Sequence, residues 1–186
     1  MHRRASPPAP TIAGLVLTLL LVSGVSGCMD RRADIGRTVI SLNGVWDVDQ
    51  GAFAGPAPAS FGHTVEVPAL LTVATPAFAE VGVDSTEREA FWYRTTFSTD
   101  AAHEVALLTF HKAKYGLAVW LDGERVGDEH HSAFTAGRFD LTGLIEPGRT
   151  HSLVARVGAW RDAVPGVVPI GQDAEKERWI PGIYDD

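Results

Sequence analysis

A single cysteine, Cys28, is all that this chain carries, so no disulfide can form within it and packing must hold the fold together. Basic residues are scarce as well: 16 Lys and Arg stand against 23 Asp and Glu, for a formal net charge of −7. After Arg32 there is no run of Lys or Arg. A surface that binds a phosphate backbone needs such a cluster to displace condensed counterions, so nucleic acid is excluded as a partner. The longest apolar stretch, Ile12 to Val22, is about half of the ~20 residues that a membrane-crossing helix requires. No repeat of fixed period occurs, which argues against propellers and solenoids. Beyond the N-terminal segment, no amphipathic helical period of ordinary length can be found.

What is present starts with the basic head Met1-His2-Arg3-Arg4, the apolar stretch just named, and small residues from Ser23 to Gly27 before Cys28. That order reads as an export signal. Taken alone, Cys28 could equally be a free buried thiol. The run Val25-Ser26-Gly27-Cys28, however, resembles the bacterial lipobox, in which the thiol is acylated and becomes the first residue of the mature protein. The resemblance implies a signal peptide over residues 1–27, lipidation at Cys28 and a polar tether over 28–37. It also implies a place in the bacterial cell envelope, periplasmic or surface-exposed. Several acyl chains, at ~0.8 kcal/mol per buried methylene, hold a domain to a membrane where one chain is marginal. Arg3-Arg4 lacks the apolar residues that a twin-arginine export motif wants, which favours the general export route.

From Thr38 onward the punctuation is that of β-structure. Val39 to Leu42, Asn43-Gly44 and Val45 to Val48 read as strand, tight turn and strand. Gly51 to Gly62 is a loop rich in Ala, Pro and Gly, and Thr64 to Val67 is a short strand stopped by Pro68. Leu70 to Glu89 has no clean period. Phe91 to Phe97, Val105 to Phe110 and Tyr115 to Leu121 are apolar or β-branched runs suited to a pleated surface. The last of these closes on Asp122-Gly123, a tight-turn pair, with Glu124 to Gly127 returning as the hairpin partner. Phe139 to Leu141 and His151 to Val157 follow, and Ile183-Tyr184 reads as the start of one more strand. About eight strands spaced by turns predict an all-β sandwich over residues 38–186. Trp46, Trp92 and Trp120 lie within strand patterns and are expected in its core.

Read in order, several of these stretches resemble one family. They are Phe91-Trp92-Tyr93-Arg94-Thr95-Thr96-Phe97, Leu108-Thr109-Phe110, Ala118 to Gly127, Phe139-Asp140-Leu141-Thr142, and Trp179-Ile180-Pro181-Gly182-Ile183-Tyr184. Together they are similar to the N-terminal sugar-binding domain of glycoside hydrolase family 2, which includes β-galactosidases, β-glucuronidases and β-mannosidases. The resemblance implies a galactose-binding-like jelly-roll β-sandwich whose closing strand continues past residue 186. It also implies an immunoglobulin-like domain and a catalytic (β/α)₈ barrel downstream. The chain thus reads as the front of a longer exported enzyme, with an oligosaccharide or glycoside as ligand. Two departures keep the turn chemistry: Asp122 replaces the usual Asn, and Gly148-Arg149 replaces the frequent Gly-Asn.

Retaining glycoside hydrolysis needs two carboxylates about 5 to 5.5 Å apart. Glu87, Glu89, Asp128, Glu129, Asp185 and Asp186 all lie in polar or turn contexts and read as solvated surface groups, so no catalytic residue is assigned. His130-His131 beside Asp128 and Glu129 has the ligand chemistry of a zinc or copper site, but neighbours on a strand point to opposite faces, and no metal is expected. Nothing suggests a cofactor. Sugar recognition uses aromatic faces together with amides and charged groups. The resemblance places these in the long loop after Val157, giving Trp160, Arg161, Asp162, Gln172, Asp173 and Trp179 as carbohydrate-binding candidates. Packing at a sandwich edge would equally explain Trp160 and Trp179, and pairing with Arg161 would explain Asp162. A stand-alone glycan-binding envelope lipoprotein and a purely structural module are the alternatives.

Overall fold

The computed structural model describes residues 37–79, 90–114, 116–158 and 180–185. Residues 40–186 form one compact unit, and all that follows concerns it. The described residues carry eleven strands and one short 3₁₀ turn, Leu71–Val73. In chain order the strands are β1 Gly44–Gly51, β2 His63–Val67, β3 Ala69–Leu70, β4 Ala90–Ser98, β5 Leu107–Phe110, β6 Lys112–Lys114, β7 Leu117–Leu121, β8 Glu124–His130, β9 Gly137–Asp140, β10 Thr150–Gly158 and β11 Gly182–Asp185.

Six strands make one antiparallel sheet in the order β2-β1-β4-β10-β7-β8, while β3-β11-β6 and β5-β9 form two smaller sheets. The all-β sandwich is as expected. Its core lies on the inner face of the large sheet, where Trp46, Val48, Val65, Tyr93, Val119 and Leu153 meet Leu108, Phe110, Ala113, Phe139 and Ile183 of the smaller sheets. Trp46 anchors this layer: its ring meets Tyr93 at 6.5 Å and Phe110 at 6.3 Å, both edge-to-face, the arrangement that aromatic quadrupoles favour. Its indole N–H donates to the Leu42 carbonyl at 2.8 Å, which satisfies the one polar atom that burial would otherwise strand. The Tyr93 hydroxyl lies deep in the same layer, and burial pushes its proton affinity well above that of an ordinary phenol.

Local sequence explains the turns. Asp122 and Gly123 both take positive φ, 51° and 91°, closing the β7–β8 hairpin as that dipeptide predicts. Asp122 does more than turn the chain. Its Oδ1 accepts the Ser152 N–H at 2.8 Å and its Oδ2 accepts Nδ1–H of fully buried His151 at 2.7 Å, tying the hairpin to β10. The other ring nitrogen of His151 accepts the Glu146 N–H at 3.0 Å, which fixes the tautomer. Those contacts, the Ser152 N–H first, hold the Asp122 carboxyl below the usual carboxylate range.

The strand expected at Ile183-Tyr184 forms, and it runs between β3 and β6, bonded on both sides. Gly182 makes this fit possible: a Cβ there would stand 2.6 Å from the Ala69 carbonyl oxygen and 2.8 Å from Leu70 Cα. Outside the ladder, the Leu71 N–H donates to Pro181 O at 3.0 Å and extends the same seam.

One expectation fails. Val39 to Leu42 does not pair with Val45 to Val48 as a hairpin, because both edges of β1 are already occupied, by β2 and β4. Gly44 still provides a positive φ of 134°, but it redirects the chain into β1 instead of closing a two-strand turn. The expected strands at residues 64–67, 91–97, 124–127 and 151–157 are all present, and the one expected over 115–121 is present from Leu117, with Tyr115 outside the described residues, whereas β3 and β6, of two and three residues, were not foreseen.

Candidate functional site

The outer face of the six-stranded sheet carries the most unusual chemistry. Side chains alternate across a strand, so Phe91 and Tyr93 of β4 point inward while Trp92 points out. On β10 the outward residue in register with Trp92 is Arg156, whose other register partner is Ala118 of β7. Trp120 of β7 and Arg125 of β8 sit opposite each other further along the same face. Trp92 is buried as expected, at 1% exposure, whereas Trp120 is only half-buried and the expectation that it lies in the core is corrected. Both lie on the far side of the sheet from Trp46, with ring centroids 5.0 Å apart.

The loop after β1 folds over this face. The Trp92 indole N–H donates to Ala52 O at 3.2 Å, and Arg156 Nη1 donates to Phe53 O. The Phe53 ring lies 3.8 Å from the Arg156 guanidinium carbon, with the Trp120 and Trp92 rings at 5.7 and 5.8 Å. A desolvated guanidinium among three rings gains from their quadrupoles, on the order of 1–2 kcal/mol per favourable pair.

The charge is matched by Glu129 of β8, whose Oε2 accepts from Arg156 Nη2 at 2.7 Å, with Arg125 Nη2 at 3.9 Å. Only 7% of the Arg156 side chain and 13% of the Glu129 side chain are exposed. Burial lowers the proton affinity of Arg156, Glu129 offsets that, and Arg125 adds to it. Glu129 is thus not the solvated surface group that its sequence context suggests. Of the other carboxylates considered, Asp185 pairs with Lys112 and Asp128 is exposed. Glu87, Glu89 and Asp186 lie outside the described residues.

Three polar atoms in this cluster are buried without a hydrogen-bond partner: Arg156 Nε, Glu129 Oε1 and His131 Nδ1. The last two are 3.8 Å apart, too far for a hydrogen bond. His130 turns to another partner, its Nε2–H donating to Thr135 O at 3.0 Å. Among the described residues, no group of three or more His, Cys, Asp and Glu side chains converges as a metal site would require.

This cluster sits at the end of the sheet where loops emerge. Gly51, Ala90 and Gly158 are aligned across β1, β4 and β10, and Leu117 of β7 pairs with His130 at the end of β8. The candidates Trp160, Arg161, Asp162, Gln172, Asp173 and Trp179 all follow Gly158 in sequence and lie outside the described residues, as does Cys28. The described residues therefore bring none of them together. What the sequence reading missed is Arg156, two residues before the end of β10. Its signal was a lone arginine inside the apolar run Leu153 to Val157, a position that demands a buried partner.

No protein-family model and no curated protein matches the sequence. Solved structures do resemble the fold. A β-glucuronidase from Ruminococcus gnavus in complex with uronic deoxynojirimycin aligns with a TM-score of 0.50 at 21% identity, over 64% of this chain and 21% of its own. A β-D-mannosidase from Dictyoglomus thermophilum aligns with a TM-score of 0.57 at 18% identity, over 78% of this chain and 22% of its own. The chain spans about a fifth of the length of these structures, and at such identities the likeness is one of fold.

Proposed function

We propose that this chain is a non-catalytic carbohydrate-binding domain of the glycoside hydrolase family 2 type, anchored in the bacterial envelope through a lipid on Cys28. In this reading it shapes one side of a sugar site that is completed by a catalytic barrel, beyond an immunoglobulin-like domain. The observation that carries it is the loop-bearing end of a sandwich whose fold is shared with a β-glucuronidase and a β-mannosidase. Three aromatic rings, a buried cation and a carboxylate gather there. Aromatic faces with a few convergent polar groups are what a sugar ring requires. Glu129 is itself engaged by Arg156, so cleavage is assigned elsewhere.

The test uses the full chain with methyl and 4-nitrophenyl β-glycosides of glucuronic acid, mannose and galactose. Calorimetric titration should give at least one dissociation constant on the order of 1 mM. Release of nitrophenol should stay at the uncatalysed rate. Turnover by the chain alone would overturn the non-catalytic reading, and no binding of any glycoside up to about 50 mM would overturn the carbohydrate reading. For the anchor, incubating cells with a radiolabelled fatty acid should label the protein, and Cys28→Ser should abolish the label. An unlabelled wild type would refute lipidation.

A further inference from the structure

The six-stranded sheet has a second end, opposite the one that carries the Arg156 cluster. There Ser98, at the close of β4, pairs with Thr150, at the start of β10, and the links from β4 to β5 and from β9 to β10 begin and finish. β1 starts at this end too, because its other terminus, Gly51, is aligned with Ala90 and Gly158. The compact unit, from Ile40 onward, is therefore entered here.

Apolar side chains are left in the open at this entry end. Val105, Leu107 and Leu144 are 67%, 63% and 48% exposed, and Ile40 and Val45 are exposed where the unit begins. The segments that carry the first three are tied together: the Leu141 N–H donates to Ala106 O at 2.8 Å and the Ala106 N–H to Thr142 Oγ1 at 3.1 Å. A cleft between them has Ala101, Ala102, Ala106 and Ile145 in its walls. Single exposed apolar residues are ordinary, whereas a joined group marks a surface that meets something.

We infer that the entry end rests on a lipid bilayer of zwitterionic headgroups, with Val105, Leu107 and Leu144 set between them. The inference deepens the lipid anchor proposed at Cys28 and rests on it. Cys28 precedes Ile40 by about 12 residues, which span ~20 Å as a flexible chain and ~40 Å when fully stretched. β4, with 9 residues, makes the sheet about 30 Å long. Such a tether keeps the entry end at the lipid, and the Arg156 end faces away from the membrane, open to glycans. Charge selects the headgroup. Asp100, Glu104, Asp140 and Glu146 are exposed in the same segments, and of the cations there Arg149 is already paired with Glu146 and Asp122. Anionic lipid would be repelled, and a second copy would bring the same acidic residues against its own, whereas choline and ethanolamine headgroups present an ammonium group.

The test puts a polarity-sensitive dye at either end of the anchored protein. The full chain is expressed in bacteria, taken from the membrane fraction and reconstituted in vesicles of phosphatidylcholine and phosphatidylethanolamine that include a lipid with a nitroxide on its headgroup. An acylated Cys28 has no free thiol, so Leu144→Cys or Phe134→Cys offers the dye one target. Both positions are exposed, Leu144 at the entry end and Phe134 beyond His130 at the other. Emission from position 144 should shift to the blue and lose most of its intensity to the nitroxide, while that from 134 keeps its colour and intensity. Equal quenching at the two positions of vesicle-bound protein, or none at either, overturns the bilayer surface and spares the anchor. A blue shift at 144 without quenching shows that a second copy covers the patch, and overturns the bilayer surface as well. Protein that stays out of the vesicles, with Cys28 itself taking the dye, overturns anchor and surface together.

Discussion

Replacing one member of the Arg156–Glu129 pair should cost far more than replacing both, and the two single costs should differ. Removing one partner of a buried ion pair strands a charge, at about 3–5 kcal/mol, whereas well-packed apolar residues in place of both are often neutral. Glu129→Leu leaves Arg156 without a carboxylate, packed among three rings and near the like charge of Arg125, so the upper part of that range applies. Arg156→Met leaves Glu129 with Arg125 still at 3.9 Å and with 13% of its side chain exposed, so about 2–3 kcal/mol is expected. The double variant should return to within about 1–2 kcal/mol of wild type. Urea unfolding followed by tryptophan fluorescence measures this. With a slope of about 1–3 kcal/mol per molar, the Glu129→Leu midpoint should fall by roughly 2 M. Single losses below about 1 kcal/mol would mean that the pair behaves as an exposed one, and would refute the burial argument. A double loss equal to the sum of the two single losses would show that the two residues are not coupled.

Asp122→Ala orphans the ring N–H of buried His151 and the Ser152 N–H, and should cost about 2–4 kcal/mol in the same urea assay, while a loss under ~0.5 kcal/mol would refute the tie between hairpin and β10. Because the folded Asp122 carboxyl sits below its ordinary value, its contribution is complete above about pH 4 and is lost as the pH falls through the folded value. Urea midpoints from pH 6 downward should accordingly drop more steeply in wild type than in Asp122→Asn, and parallel curves would contradict the assignment. Gly182→Ala forces a methyl against Ala69 O and Leu70 Cα, so β11 must shift, at about 1–3 kcal/mol. Amide exchange at Ile183 should speed up with it, and unchanged protection would show that β11 is looser than its pairing implies. Trp46→Ala empties the centre of the core and should cost about 3–5 kcal/mol by urea unfolding.

The hairpin at Asp122-Gly123 and the strands from Phe91 and His151 were legible because turn chemistry and a β-branched, aromatic run agree there. The Val39–Leu42 hairpin was misread because Asn43-Gly44 signals a turn without saying which strand edges are free. The face of the sheet that Trp92 and Trp120 take was not legible for a related reason. Where Phe91, Trp92 and Tyr93 are all apolar, alternation cannot tell which face meets the second layer, and the loop carrying Phe53 makes both faces dry. Glu129 looked solvated because its partner lies 27 residues away in sequence, so the pair exists only once β8 and β10 join one sheet. The strands β3 and β6 are too short to leave a periodic signal and form because β11 bridges them.

The most direct test of the account is a nitrogen-15 NMR titration of the full chain with methyl β-D-mannoside, watching side-chain N–H signals. Binding at the loop-bearing end of the sandwich predicts that Arg156 Nε–H and the Trp92 and Trp120 indole N–H signals move together, while that of Trp46, in the core on the opposite face, stays still. Signals that move only elsewhere on the sandwich, or that do not move at all at saturating glycoside, would contradict the claim that this end of the sheet is where the protein meets sugar.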